Sequence, residues 1–205
     1  MKQAHSPVVA ARHQALQDRL IAAAEATIAG EGLTAIKARA LAVAAGCSIG
    51  AIYSVVPDID ALVLAVNGRT LDAIGAALAN VPERGNPAEQ LVRRAEAYLA
   101  YAAANRPRWQ ALFQHRMPEG EPVPADYTAR QVAAFSFVEA PLAALLPALP
   151  PAKRTVLART LFSAVHGMVE LGLAEKVASL KPADLRAQIR IVVAAIAAGL
   201  VPPAS

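Results

Sequence analysis

The sequence predicts an all-α protein in which a short N-terminal domain of three helices precedes a larger helical domain. Hydrophobic residues make up 56% of the 205 residues, but aromatic residues make up only 4%. Much of the apolar fraction is alanine, which has the highest helix propensity and lets helices pack closely. Since no run of β-branched residues alternates with polar ones, half-buried strands are not expected.

The first three helices are delimited by local signals. Leu16, Leu20, Ala24 and Ile28 recur every four residues and predict an amphipathic first helix from Pro7, which ends at the glycines around Glu31. We expect a second helix over residues 37–45, stopped by Gly46. Ser48 is a good N-cap for a third helix that runs to about Val55.

The remaining helices follow from similar breaks. Pro57 and Asp58 precede a helix that reaches about Asn80, and loops rich in proline and charge separate those that follow. The expected helices cover residues 88–105, a short segment opened by Pro107, then 127–146, 152–179 and 182–200. In the helix 152–179, one apolar side carries Leu157, Leu161, Val165, Met168 and Gly172, and another carries Phe162, Ser163, His166, Val169, Glu170 and Leu173.

A tight glycine turn between two short helices is the helix-turn-helix pattern, which places its second helix in the major groove of DNA. The residues at fixed spacing are Gly32, Leu41, Ala42, Ala45, Gly46, Ser48, Gly50, Tyr53 and Leu62. This stretch resembles the DNA-binding domain of the tetracycline-repressor (TetR) family. The resemblance implies that Ser48, Ile49, Gly50, Ala51, Tyr53 and Ser54 face the groove, and that Tyr53, Lys37 and Arg39 contact phosphates or base edges.

Charge gives this domain little non-specific affinity for DNA. The whole chain carries a net charge of +4, but residues 1–60 contain five basic and five acidic residues. Val55 and Ile59 also depart from the family pattern, which has polar, aromatic or basic side chains there. We therefore expect weak non-specific binding that depends on Lys37, Arg39 and the geometry of a dimer.

A second resemblance concerns the larger domain. The segment "LFSAVHGMVELGL" resembles the C-terminal domain of a TetR subgroup marked by a His-Gly pair near an aromatic residue (the WHG type), with Phe162 in the usual Trp place. Effector pockets are apolar with a few convergent polar groups. Our candidates for an effector site are Trp109, Phe113, Phe135, Phe137, Phe162 and His166, with Tyr98, Tyr101 and His115 as further candidates.

These observations predict a DNA-binding domain over residues 1–57 and a ligand-binding and dimerisation domain over residues 58–205. The last two helices are the expected homodimer interface, because one of them is apolar on two sides. The expected partners are double-stranded DNA, a small apolar effector and a second copy of the chain. The function is that of a ligand-responsive repressor.

Two alternatives stay open at this stage. One is a helical ligand-binding dimer without DNA-binding activity, and the other is a helical enzyme. The sequence has no nucleophile elbow, phosphate-binding loop or paired Glu-x-x-His motif, so we expect no catalytic residues, cofactor or metal. His166 and Glu170 are spaced to hold one metal at most, and Cys47 fits a small packing residue.

The expected location is the cytoplasm. The single cysteine fits a reducing compartment, and the N-terminus lacks the apolar core of a signal peptide. The most apolar segment, "IVVAAIAAGLV" at residues 191–201, is too short to cross a bilayer, so no membrane association is expected.

Overall fold

The computed structural model describes residues 7–174 and 181–201, and the described residues are helical with no strand among them. This confirms the all-α prediction. The helices are α1 (Pro7–Glu31), α2 (Ala38–Ala44), α3 (Ile49–Val55), α4 (Ile59–Ala79), α5 (Pro87–Ala104), α6 (Arg106–Gln114), α7 (Ala125–Leu145), α8 (Pro151–Ala174) and α9 (Pro182–Leu200), with a short 3-10 helix at Leu33–Ala35. The part of the predicted eighth helix at residues 175–179 lies outside the described residues.

The chain forms two compact units. The first contains the chain up to Thr70 together with Asn105–Tyr127, and the second contains Leu71–Ala104 together with the chain from Thr128 onward. Each unit therefore includes part of α4, and α6 belongs to the first. The functional division predicted between residues 57 and 58 stays a prediction, because compactness does not assign function.

The core of the first unit is built where α1, α2 and α3 meet. The predicted stripe of α1 is confirmed there, since Leu20, Ala24 and Ile28 are fully buried. Helices α2, α3, α4 and α6 contribute the rest of this cluster, namely Leu41, Ala42, Ala45, Ile52, Val56, Leu62, Val66 and Ala111. This core fixes α3 from one side and leaves its opposite face available.

The turn between α2 and α3 depends on Gly46. The Gly46 φ angle is +63°, which side-chain-bearing residues rarely adopt. The Cys47 N–H donates to the Ala42 carbonyl at 2.9 Å and the Gly46 N–H to the Val43 carbonyl at 3.2 Å. This pair of bonds is a Schellman motif, with Gly46 just past the helix end. The two helices consequently meet at 91°, and Cys47 packs against the core as predicted.

The second unit is held together by α5, α8 and α9. Helix α9 buries Leu185, Ile189, Val193 and Ala197, and α8 buries Ala158, Leu161, Val165 and Val169. The two helices approach closely at Gly172, where an added Cβ would lie 2.6 Å from the Leu185 side chain. The buried stripe of α8 combines Leu161 and Val165 from one predicted apolar side with Val169 from the other. The prediction that the two sides are separate was therefore wrong.

By length and composition alone, α4 and α8 are apolar enough to cross a membrane, and α2 with α3 would pass the same test as a bent pair. Both helices are longer than the segment at residues 191–201 on which the expectation of no membrane association was based. Packing within the protein buries 44% of the most apolar 18-residue segment of α4, but only 22% of the corresponding segment of α8. Helix α8 therefore keeps an apolar face that the described residues do not cover.

Candidate DNA-binding and effector sites

Helix α3 has one face in the core and one in solvent. Ile52 is fully buried and Val55 packs against the core, whereas Ile49 and Tyr53 are 46% and 51% exposed. Ser48, Gly50 and Ser54 are exposed as well, and Ala51 is half-buried. The structure thus brings the residues expected to face DNA onto one accessible surface, although no DNA contact is tested by it.

The hydroxyls of this face are partly engaged within the helix. Ser48 Oγ accepts a hydrogen bond from the Ala51 N–H at 3.1 Å, which confirms the N-cap predicted from the sequence. Ser54 Oγ donates to the Ala51 carbonyl at 2.7 Å. Within the helix, Ser54 thus uses its hydroxyl proton and Ser48 uses a lone pair. The Tyr53 hydroxyl is therefore more available to a ligand than either serine hydroxyl.

Gly50 lies inside α3 without a conformational reason to be glycine. Its φ angle is not in the left-handed region, and a Cβ built on it would meet only Ser48 Oγ, at 4.0 Å. Glycine inside a helix destabilises a protein by roughly 0.5–1 kcal/mol relative to alanine. The absence of a side chain therefore affects the surface rather than the fold, and it lets another molecule approach the α3 backbone.

Two basic residues lie at the start of α2, the helix that the glycine turn joins to α3. Lys37 and Arg39 are both exposed, and neither makes an ion pair within the described part of the chain. Lys37 occupies the N-cap of α2 without a side-chain cap bond. Both side chains are free to reach phosphates.

Two acidic residues of the first unit, Glu25 and Asp60, have partners from later in the chain. Arg69 and Arg108 each place an Nη1 atom 2.9 Å from the Glu25 carboxylate. His115 donates from Nε2 to Asp60 Oδ1 at 2.8 Å. The charge count over residues 1–60 leaves out Arg69 and Arg108, two cations from α4 and α6 that pair with Glu25.

A polar groove beside α3 was missed from the sequence. It has a volume of about 360 Å³ and lies between α1 and the end of α3, lined by Ala10, His13, Gln14, Gln17, Ser54 and Val55. Gln14 also donates to Asp18 at 3.0 Å. The α1 positions at the groove are polar because they face outward, and the sequence showed this only as the polar side of an amphipathic helix.

In the second unit, four rings from three helices form an aromatic cluster, comprising Tyr98, Phe135, Phe162 and His166. Phe162 is central: its ring centroid lies 5.5 Å from that of Tyr98 and 5.3 Å from that of Phe135, both edge to face. His166 stacks on Phe162 with centroids 5.6 Å apart. The Tyr98 hydroxyl and His166 Nδ1 share a hydrogen bond of 3.0 Å. Three of the predicted effector residues are thus brought together with Tyr98.

Burial favours the neutral form of His166. Burial lowers the pKa of the imidazole below its ordinary value of 6.5, and the nearby Glu170 carboxylate only partly opposes this effect. A neutral imidazole has one donor and one acceptor nitrogen. The cluster therefore combines apolar ring surface with an uncharged polar group, which suits an apolar ligand that carries a hydrogen-bonding atom.

The other predicted effector residues lie elsewhere. Trp109 is fully buried and stands edge to face with Phe113 at 5.5 Å in the first unit, where His115 also lies. Phe137 lies near Gly75 of α4, within 3.7 Å of where a Cβ would stand. Their roles in an effector site stay predictions. Among residues 7–174 and 181–201, no group of three or more His, Cys, Asp or Glu side chains comes together to hold a metal.

Comparison with known proteins agrees with this geometry. Residues 91–196 match the family described as "Tetracyclin repressor-like, C-terminal domain". None of the curated proteins compared matches the chain. Among solved structures, a protein of unknown function from Rhodococcus sp. RHA1 is similar with a TM-score of 0.71 and 19% identity, covering 95% of this chain and 98% of that one.

Two further structures are TetR-family regulators. One, from Rhodococcus sp. RHA1, has a TM-score of 0.66 and 18% identity, with 94% of this chain and 100% of that chain covered. The other, PfmR from Thermus thermophilus, has a TM-score of 0.60 and 20% identity, with coverage of 89% and 99%. At such identities the likeness concerns the fold.

An exposed second helix on a glycine turn, followed by a helical domain, defines the class of helix-turn-helix regulators. The family match extends over more than half of the chain, and the chain belongs to the TetR family of transcriptional regulators. Members of this family are non-enzymatic DNA-binding proteins, in agreement with the prediction that this chain is not an enzyme. The match does not specify the WHG type, which stays a prediction.

Proposed function

We propose that the chain is a cytoplasmic, homodimeric repressor that a small apolar effector releases from its operator. DNA binding is assigned to residues 1–57, and effector binding and dimerisation to residues 58–205. The observation that carries the proposal is the exposed face of α3, which is mounted on a buried core and preceded, at the start of α2, by two exposed cations. In this proposal Lys37 and Arg39 contact phosphates, while Tyr53 and its neighbours on α3 enter the major groove.

The test is binding to double-stranded DNA from the region around the protein's own coding sequence, measured by fluorescence anisotropy at low salt. We expect a saturable, sequence-dependent complex, weakened by Tyr53→Ala and by Arg39→Ala without loss of dimerisation. Arg84→Ala, which removes an exposed cation from the loop before α5, is the matched control. A folded dimer that binds no fragment would refute the proposal, and unchanged binding by both variants would refute the assigned surface.

Dimerisation is proposed through the faces of α8 and α9 that the described residues leave uncovered. Val156 and Leu171 on α8 are 63% and 53% exposed, and Ile191 on α9 is 58% exposed. Small residues such as Ala164 and Ala195 lie between them, also exposed. An apolar face with small residues permits close helix contact with an identical copy.

The dimer is tested by light scattering after size-exclusion chromatography. Leu171→Glu or Ile191→Glu should give a helical monomer with greatly weakened DNA binding, because two half-sites are no longer engaged together. Val132→Glu changes an equally exposed side chain, 59% accessible on α7, and should leave the dimer intact. A dimer that survives both changes would place the interface elsewhere.

The effector is proposed to bind at Phe135, Phe162 and His166, with Trp109, Phe113 and Phe137 as additional candidates. Effector binding would shift α4, so that the two α3 helices no longer match half-sites separated by about 34–36 Å on DNA. Mass spectrometry of small molecules extracted from the purified protein should identify a bound apolar compound. Phe162→Ala should abolish its retention, whereas retention by this variant would exclude the cluster.

One alternative has a specific observation in its favour. The balanced charge over residues 1–60 suits a ligand-binding dimer that has no DNA-binding activity. The anisotropy experiment separates the two, because such a dimer would keep its effector and show no DNA binding at any salt concentration.

A further inference from the structure

The exposed face of α3 lacks the side chains that read purines by paired hydrogen bonds. Residues 49–55 include no Arg, Lys, Asn or Gln. Recognition of guanine by Arg or Lys, and of adenine by Asn or Gln, is therefore unavailable from this helix. Ser48 and Ser54 are engaged with the Ala51 backbone. What α3 offers the major groove is mostly apolar surface.

Ile49 is the most exposed aliphatic side chain of α3. It is the first residue of α3, and its side chain is 46% exposed, whereas Ile52, one turn later, is fully buried. The N-terminal residues of a recognition helix are those that contact base edges. The neighbouring Gly50 adds no side chain that would hold the helix away from the bases.

The thymine C5-methyl group is the apolar feature that the major groove presents. We infer that Ile49 determines operator specificity by packing against a thymine methyl group in each half-site. This inference rests on the proposed function, since it names the feature of the operator that α3 recognises. It predicts that specificity at the contacted position depends on a methyl group, with base pairing unchanged.

The experiment begins with selection of bound duplexes from a random DNA pool by the full chain. Thymines of the enriched half-site are then replaced one at a time by uracil, which removes only the methyl group. At one position we expect affinity to fall about fourfold per half-site, and about fifteenfold when both half-sites are changed, as for the loss of one buried methyl-sized group.

A second variant assigns the contact. Ile49→Ala should bind the thymine operator about as weakly as the parent binds the uracil operator, and should show no further loss with uracil at that position. Since Ile49 is exposed, this variant should fold as the parent does. Val132→Ala, which shortens an exposed side chain on α7, should keep both the affinity and the uracil effect.

The outcomes separate the inference from the function on which it rests. If no sequence is enriched, the proposed DNA binding fails and the inference fails with it. If a sequence is enriched but no thymine is sensitive to uracil, DNA binding stands and the methyl contact is refuted. If the uracil effect persists in Ile49→Ala, another residue makes the contact and the assignment to Ile49 is overturned.

Discussion

Replacing Gly50 by alanine should raise stability and weaken DNA binding at the same time. The added methyl group would meet only Ser48 Oγ, 4.0 Å away, so the fold accommodates it without a clash. Alanine is favoured over glycine within a helix by roughly 0.5–1 kcal/mol. For a chain of this length, that corresponds to a rise in melting temperature of about 1–4 °C.

The effect on DNA binding should have the opposite sign. Gly50 lies on the exposed face of α3 between Ile49 and Tyr53, so a methyl group there would hold the helix away from the base edges. Losing one good base contact costs at least about 1 kcal/mol, or fivefold in affinity. With two half-sites in a dimer, the loss is about thirtyfold or more.

The two effects are measured by thermal denaturation followed by circular dichroism and by anisotropy with a selected operator. Gly30→Ala is the control, because a Cβ at this α1 position would meet nothing within 4 Å. It should raise stability and leave DNA binding unchanged. If Gly50→Ala binds DNA as tightly as the parent, the proposed position of α3 in the groove is wrong; if it lowers stability, the steric reasoning is wrong.

Four further predictions concern the turn, the polar network, the aromatic cluster and the charge. Gly46→Ala should lower the free energy of unfolding by about 1–2 kcal/mol in chemical denaturation, because its φ of +63° is left-handed, and Gly46→Asn should lower it less. Glu25→Ala should destabilise by about 1–3 kcal/mol by leaving the half-buried Arg108 without its carboxylate, and Glu25→Gln by less; equal stability would make the network irrelevant. Burial lowers the pKa of His166 in the folded chain, so the unfolded chain takes up a proton at a higher pH than the folded chain does. Stability is therefore lost as the pH falls through 6.5. In His166→Gln, the melting temperature should change less between pH 7.5 and 5.5 than it does in the parent. With Lys37 and Arg39 as phosphate contacts in each subunit, the slope of log K against log salt should be about −3.6, and a slope near −8 would require additional cations at the DNA surface.

The features that the sequence predicted are those decided by nearest neighbours along the chain. Gly46 and Ser48 act within a few residues of themselves, through the Schellman turn and the bond from the Ala51 N–H. The periodicity of Leu20, Ala24 and Ile28 likewise reports one helix and its core. The helix order and the exposed face of α3 follow from such local rules.

The features that the sequence did not predict join residues far apart along the chain. Glu25 meets Arg69 across 44 positions, and His115 meets Asp60 across 55. Tyr98 and His166 are 68 positions apart. The sequence around either residue does not distinguish such a pair from two solvated side chains. Whether the pair forms depends on how the helices pack against one another, which the hydrophobic periodicity of a single helix does not determine.

Helix α8 shows the same limit for apolar residues. Alanine, valine and leucine occur around most of its circumference, so the sequence offered several stripes of equal quality. In the folded protein, the buried stripe consists of Ala158, Leu161, Val165 and Val169. The close approach of the two helices at Gly172, where an added Cβ would lie 2.6 Å from the Leu185 side chain, is part of this packing.

Low charge at the DNA-binding surface has a consequence for specificity. Phosphate contacts add affinity for every sequence alike, because counterion release does not depend on the bases. Two cations assigned to phosphates in each subunit therefore give the protein little affinity for non-specific DNA, while contacts from Ile49 and Tyr53 act only where the bases fit. The ratio of specific to non-specific affinity decides occupancy of an operator in a genome. A weakly basic surface with an apolar reading helix thus favours discrimination over raw affinity, and the shortage of charge in α3 is compatible with a selective DNA-binding protein.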